Sequence, residues 1–202
     1  MILYSLDLLG TFVFAITGVL SGCRRDMDLF GIMVLAFVTA IGGGTIRDML
    51  LTGQAVFWVT DLNYLHVILM SFVIGLVALK RFQRYERLLL VMDAIGLATF
   101  TVIGVEKTLT LGFAPIIAVC MGMLTGAGGG IIRDLLSGQA PLILSKSIYA
   151  TATMAGGVVY ITGNALNLSP HWLAIAACLT VFGLRLIDVR HDLSLPRWRI
   201  ND

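Results

Sequence analysis

The stretch Gly42-Gly43-Gly44-Thr45-Ile46-Arg47-Asp48 lies inside an apolar run and returns 86 positions later as Gly128-Gly129-Gly130-Ile131-Ile132-Arg133-Asp134. Each glycine in a helix interior costs about 1 kcal/mol relative to alanine. An arginine or aspartate at membrane depth costs roughly 2.5–3.5 kcal/mol on insertion scales. A chain that carries both costs twice has a use for them.

The similarity extends outward from the motif. Asp7-Leu8-Leu9-Gly10 aligns with Asp93-Ala94-Ile95-Gly96, Phe14 with Phe100 and Gly18 with Gly104, all at the same offset. After the Arg-Asp pair one residue drops out, so Gly53-Gln54-Ala55 aligns with Gly138-Gln139-Ala140. Arg, Asp, Gly and Gln rarely recur together in two greasy segments by chance.

Composition sets the class. Hydrophobic residues make up 58% of the 202 and charged residues 13%, which excludes an ordinary soluble domain and fits a polytopic membrane protein. The formal net charge of +2 says less than the placement of the basic residues. Cys23, Cys120 and Cys178 stand far apart, form no CxxC pair and have no histidine cluster beside them, so they read as small lipid- or helix-facing residues. Leu20-Ser21-Gly22-Cys23 resembles a lipoprotein cleavage box, but no Lys or Arg precedes it and Asp7 interrupts the apolar run, so the first segment reads as a retained span.

Apolar segments fall at about 2 to 22, 29 to 51, 64 to 79, 88 to 105, 112 to 136, 147 to 163 and 171 to 187. These are seven candidate transmembrane helices, with lengths around the roughly 20 residues that cross about 30 Å of hydrocarbon. Basic residues follow every odd-numbered segment: Arg24 and Arg25; Lys80, Arg81, Arg84 and Arg87; Lys146; and Arg190, Arg197 and Arg199. The alternate connections carry only Lys107. By the positive-inside rule the N-terminus is outside and the C-terminus cytoplasmic.

Each repeat holds three segments, and an odd number forces the second copy to enter the bilayer upside down. The predicted fold is an all-α membrane protein of seven transmembrane helices: two inverted three-helix repeats, about 2–80 and 88–163, plus a seventh helix at about 171–187, in one domain over 1–202. Asp7 then sits about five residues, or roughly 8 Å, below the outer end of its helix. Arg47 and Asp48 also lie near the outer face, while Asp93, Arg133 and Asp134 lie near the inner one.

Two uses of these charges stay open. Arg47 can neutralise Asp7 or Asp48, and Arg133 can neutralise Asp93 or Asp134, fixing helix register. The same carboxylates can also line an aqueous path for a cation. The glycines carry alternatives too. They can form close helix contacts, or they can bend or unwind the second and fifth segments at Gly42, Gly43, Gly44 and at Gly128, Gly129, Gly130, and a run of three favours the bend. Trp58, Trp172 and Tyr64 fall near outer boundaries and read as interface anchors. His66, His171 and His191 stand apart at span ends, and no P-loop, GxSxG or HExxH is present, so no metal, cofactor or enzymatic chemistry is expected.

The paired Gly-Gly-Gly-x-Ile-Arg-Asp motifs, in a chain with this three-plus-three-plus-one pattern, resemble the bacterial branch of the trimeric intracellular cation (TRIC) channel family, whose domain is also labelled a glycine transporter. The resemblance covers about residues 2 to 187. It implies a homotrimer in the bacterial inner membrane, surrounded by lipid, with a pore through each protomer and no nucleic-acid partner. It also implies helices bent at the two glycine triplets and passage of monovalent cations, chiefly potassium with sodium. Animal members place basic residues in the fourth helix, linked to voltage sensitivity, whereas the span 88 to 105 holds Asp93 as its only charge. A secondary transporter of a small solute such as glycine is the alternative, since inverted repeats with broken helices are common among transporters.

Orientation is open to a direct test. Cysteines placed around Lys80 to Arg87 should react with impermeant reagent from the cytoplasmic side, and cysteines around Glu106 and Lys107 from the outside. Labelling of both regions from one side would contradict the inversion.

Overall fold

A backbone with no water to bond must satisfy itself, and within apolar segments of this length it does so as helix. The protein is represented by a computed structural model that describes residues 2–51, 55–79, 85–145 and 148–191. Gly53, Gln54, Lys80, Arg81, Arg84, Lys146, Arg197 and Arg199 lie outside the described residues. Among those described, the helices are α1 (Ile2–Arg24), α2 (Leu29–Leu51), α3 (Phe57–Thr60), α4 (Asn63–Leu79), α5 (Tyr85–Thr110), α6 (Pro115–Leu136), α7 (Leu142–Ser145), α8 (Ile148–Ala165) and α9 (Pro170–His191). Five of them, α1, α2, α5, α6 and α9, are long and apolar enough to cross a membrane, and α4 is apolar but shorter.

Three differences from the sequence expectation have physical causes. The fourth predicted span, 88 to 105, is helical from Tyr85 to Thr110, so Glu106 and Lys107 belong to a helix and not to a loop. The fourth long helix therefore carries basic residues of its own, Arg87 and Lys107. The four-residue helices α3 and α7 were not expected, because they are too short for an apolar period to show. Tyr64 does not reach the surface as an interface anchor would, and Trp58 is half-buried against its own bundle. Trp58 Nε1 donates to Thr45 Oγ1 at 3.1 Å and its ring lies edge-on to Phe37, while Tyr64 is only 4% exposed. Trp172, at 70% exposure, does face outward.

Helix α1 runs antiparallel to α5. Tyr4 and Asp7 near the start of α1 share a cavity with Ile103, Glu106 and Lys107 near the end of α5. At the opposite end Arg24 of α1 pairs with Glu86 of α5 at 2.8 Å. Helix α6 closes with Gly138 at φ +67, a left-handed conformation that suits glycine, and the Gln139 amide donates back to the Asp134 carbonyl at 2.8 Å.

The centre of the molecule is the packing of α2 against α6. All six glycines of the two triplets are buried, and Gly42, Gly43, Gly128 and Gly129 face the other helix. A methyl built at Gly43 would overlap the Thr125 carbonyl oxygen, and a methyl at Gly129 would overlap the Thr39 carbonyl oxygen. The contact is reciprocal, since 43 and 129, and 39 and 125, are each 86 apart. The same reciprocity holds between α1 and α5: the Phe14 and Phe100 rings lie 5.1 Å apart, with Gly10 against Phe100 and Gly96 against Phe14.

The expected unwinding at the triplets is not found. Both helices run unbroken through residues 42–44 and 128–130. What the glycines supply is backbone-to-backbone approach, which removes side chains where two helices touch.

Alanine normally stabilises a helix by about 1 kcal/mol over glycine, whereas overpacking costs about 1–3 kcal/mol. Gly43→Ala and Gly129→Ala should each lower the thermal midpoint in detergent. Gly183→Ala, where an added methyl meets nothing within 4 Å, should leave it unchanged or raise it. Equal midpoints for all three variants would show that the crossing is not tight.

Candidate functional site

Beside this crossing each half buries an arginine with its following aspartate. In the first cluster Arg47 and Asp48 are 2% and 1% exposed, and Arg47 Nε donates to Asp48 Oδ1 at 2.7 Å. Lys107 reaches in from α5, with Nζ 2.8 Å from the same oxygen. Asp48 Oδ2 accepts the Phe57 backbone N–H at 3.1 Å, so the carboxylate also caps α3. The Arg47 guanidinium lies 5.7 Å from the Phe57 ring centroid.

The second cluster repeats the plan with different bonds. Arg133 Nε donates to Asp134 Oδ1 at 2.9 Å, and its Nη1 donates to Asp93 Oδ1 at 2.8 Å and to Thr17 Oγ1 at 3.0 Å. Asp134 Oδ2 accepts the Leu142 N–H at 2.9 Å and caps α7, as Asp48 caps α3. Arg133 and Asp93 are fully buried.

The sequence left the arginine partners open, and the structure brings the residues together unequally. Arg133 bonds both of its candidate aspartates. Arg47 bonds Asp48, whereas the half-buried Asp7 accepts the Tyr64 hydroxyl at 2.8 Å and forms no ion pair among the described residues. By formal charge the first cluster balances Asp7 and Asp48 against Arg47 and Lys107, while the second sets Asp93 and Asp134 against Arg133 alone.

Several members were missed in the sequence. Tyr64 and Tyr149 are 85 apart, the same register as Gly53 and Gly138, so the repeat could have revealed both. Lys107 was assigned to a loop. Arg185 and Asp188 form a third buried pair on α9, and an arginine inside the seventh apolar segment was the signal for it.

A cavity opens beside each cluster, at opposite ends of the α1–α5 pair. The first holds about 370 Å³ between Tyr4, Asp7, Glu106, Lys107 and Thr110. The second holds about 270 Å³ between Ser21, Arg24, Glu86, Asp134 and Gln139. A carboxylate that lines a cavity attracts cations, and a fixed guanidinium beside it limits how strongly they bind.

Comparison with known proteins finds relatives along the whole chain. The sequence profile of the family described as Glycine transporter matches residues 4–80 and again 90–165, one match in each half. A UPF0126 membrane protein of Vibrio cholerae is 46% identical over 200 residues, covering 98% of this chain and 84% of its own. The UPF0126 inner membrane protein YadS of Escherichia coli K12 is 43% identical over 204 residues, covering 100% and 99%. The structure of the TRIC trimeric intracellular cation channel orthologue from Rhodobacter sphaeroides superposes with a TM-score of 0.91 at 36% identity, over 95% of this chain and 99% of that one. A prokaryotic TRIC channel in 0.5 M KCl gives 0.90 at 31% identity, over 96% and 99%. For a TRIC counter-ion channel of calcium release, at 18% identity and a TM-score of 0.63, the likeness is one of fold alone.

Fold and site together define an integral, all-helical membrane protein with charge buried at both ends of its bundle. The chain belongs to the Glycine transporter (UPF0126) family, the bacterial branch of the TRIC channel family.

Breaking a buried ion pair by removing one partner costs about 3–5 kcal/mol. Arg133→Ala should therefore destabilise strongly and couple to both Asp93→Asn and Asp134→Asn in double-mutant cycles. Arg47→Ala should couple to Asp48→Asn, while its cycle with Asp7→Asn should be closer to additive. Thermal unfolding in detergent reads all four cycles, and strong coupling of Arg47 to Asp7 would contradict the partner assignment.

Proposed function

We propose that the protein is a cation channel that passes potassium chiefly and sodium as well, with one pore in each protomer of a homotrimer. The observation that carries this reading is the pair of buried Arg–Asp clusters, each beside its own cavity, at opposite ends of the antiparallel α1 and α5. A channel needs several weak sites along a wet path, and carboxylates partly neutralised by fixed arginines are sites of that kind. The solved relative at 36% identity is named as a trimeric intracellular cation channel orthologue, and the one at 31% as a prokaryotic TRIC channel.

In this reading the chain crosses the bacterial inner membrane seven times, through α1, α2, α4, α5, α6, α8 and α9. The halves α1–α4 and α5–α8 are inverted repeats. The reciprocal contacts at Gly43 and Gly129 and at Phe14 and Phe100 support a two-fold axis between them. The N-terminus lies outside and the C-terminus in the cytoplasm, so the first cluster faces out and the second faces in. Exposed Leu69, Val73, Leu179 and Trp172 meet lipid. The permeant ion is the ligand, with no further cofactor and no catalytic step.

The glycine triplets serve as the hinge. Where backbone meets backbone at Gly43 and Gly129, no pair of side chains from the two helices stands between them to resist a change of angle, so α2 and α6 can bend against each other there to open the path. Transport of a small solute such as glycine is the second reading, favoured by the family's description and by the two mouths.

Purified protein in planar bilayers separates the two. The channel reading predicts unitary current steps in symmetrical KCl and a reversal potential that follows the cation gradient. Absence of steps, together with saturable, gradient-coupled glycine uptake in vesicles, would establish the carrier instead.

A further inference from the structure

Arg185 and Asp188 stand one turn apart on α9, which follows both matched halves and repeats nothing in either. They are 0% and 2% exposed, and Arg185 Nη1 donates to Asp188 Oδ2. Arg185 Nε and Nη2 make no hydrogen bond among the described residues. The guanidinium is held instead by that carboxylate and by the face of Tyr149, 4.6 Å from the ring centroid.

Tyr149 comes from α8, and its far end reaches the second cluster. A methyl built at Gly130 would lie 3.1 Å from the Tyr149 hydroxyl, 3.4 Å from Asp93 Oδ1 and 3.6 Å from Arg133 Nη2, so the three groups converge over one glycine. The matching residue of the first half is supported differently. Tyr64 bonds Asp7 directly, and its ring meets Phe57 edge-on at 4.6 Å. Lys107 brings a second cation straight onto Asp48, whereas Arg185 holds a second cation one ring away from Asp93.

We propose that Arg185 and Asp188 are a positioning pair, fixing the Tyr149 ring and through it the Arg133–Asp93 bond, so that conduction past the second cluster depends on a helix outside the two matched halves. The proposal rests on the channel reading. It makes the two mouths unequal: losing Arg185 alters the second and spares the first. A buried ion pair is weak evidence of a contribution to stability, so a positioning role accounts for these charges better than stability does.

The test uses full-length protein carrying Arg185→Gln, Arg185→Lys, Tyr149→Phe and the Arg185→Gln/Tyr149→Phe double variant. Lysine keeps the charge but loses the planar stack, and it stands in where glutamine prevents folding. We expect the rectification ratio of unitary currents to shift at least threefold in Arg185→Gln and in Arg185→Lys, with current entering past the second cluster affected and the opposite direction unchanged. Adding Tyr149→Phe to Arg185→Gln should change little more, because both act through one ring. Folded Arg185→Gln channels with wild-type conductance and rectification, and only a lowered thermal midpoint, would overturn the proposal. So would independent, additive shifts from Arg185→Gln and Tyr149→Phe. A thermal-midpoint cycle of Arg185→Gln with Asp93→Asn gives a readout free of conduction. If the wild-type protein shows no unitary currents, the channel reading fails and this cycle decides alone: coupled losses uphold the positioning role, and additive losses overturn it.

Discussion

The structure depends on one constraint: α2 and α6 touch backbone to backbone at Gly43 and Gly129. Helices in a membrane gain nothing from hiding apolar surface from lipid, so they are held by close packing and by polar bonds. The missing side chains at Gly42, Gly43, Gly128 and Gly129 bring the axes near enough for the Thr39 and Thr125 carbonyl oxygens to occupy the space a methyl would take. That approach sets the depth and rotation of both helices, and the arginine and aspartate that follow each triplet inherit their positions from it. Arg47 and Arg133 come next after the crossing, one turn beyond, and both end fully enclosed.

Enclosure then dictates the chemistry. An arginine does not give up its proton, so a buried guanidinium must be matched by carboxylates and satisfied by geometry. Each arginine bonds the aspartate beside it, and each aspartate turns its second oxygen to the first amide of a short helix, α3 or α7. These short helices are therefore tied to the clusters and not merely to the loops that contain them. The halves then diverge: Tyr64 takes Asp7 away from Arg47, while Arg133 keeps Asp93. A repeated backbone thus carries two different charge balances.

Much of this was legible in the sequence because the repeat carries rare residues. Arg, Asp and three glycines in an apolar setting, found twice at one offset, located the central helices and all six charged positions of the two motifs and their aligned aspartates. Gly10, Phe14, Gly96 and Phe100, which aligned across the halves, turn out to pack against one another. Other features could not be read. The unwinding that a run of three glycines suggests is not there, since the need for space at the facing helix cannot be read from one segment alone. Lys107 was hidden because hydropathy ends a span at the first charges, although α5 continues to Thr110. Arg185 and Asp188 were passed over because α9 has no second copy to compare.

The central claim is that the clusters are two ends of one cation path, related by inversion. Unitary current–voltage curves of Asp48→Asn and Asp134→Asn, recorded from channels inserted in one known direction, address it most directly. Neutralising a carboxylate at one mouth lowers the local cation concentration there, so the two variants should rectify in opposite senses while both conduct less than the parent. Identical rectification in both, or wild-type curves from both, would contradict the account.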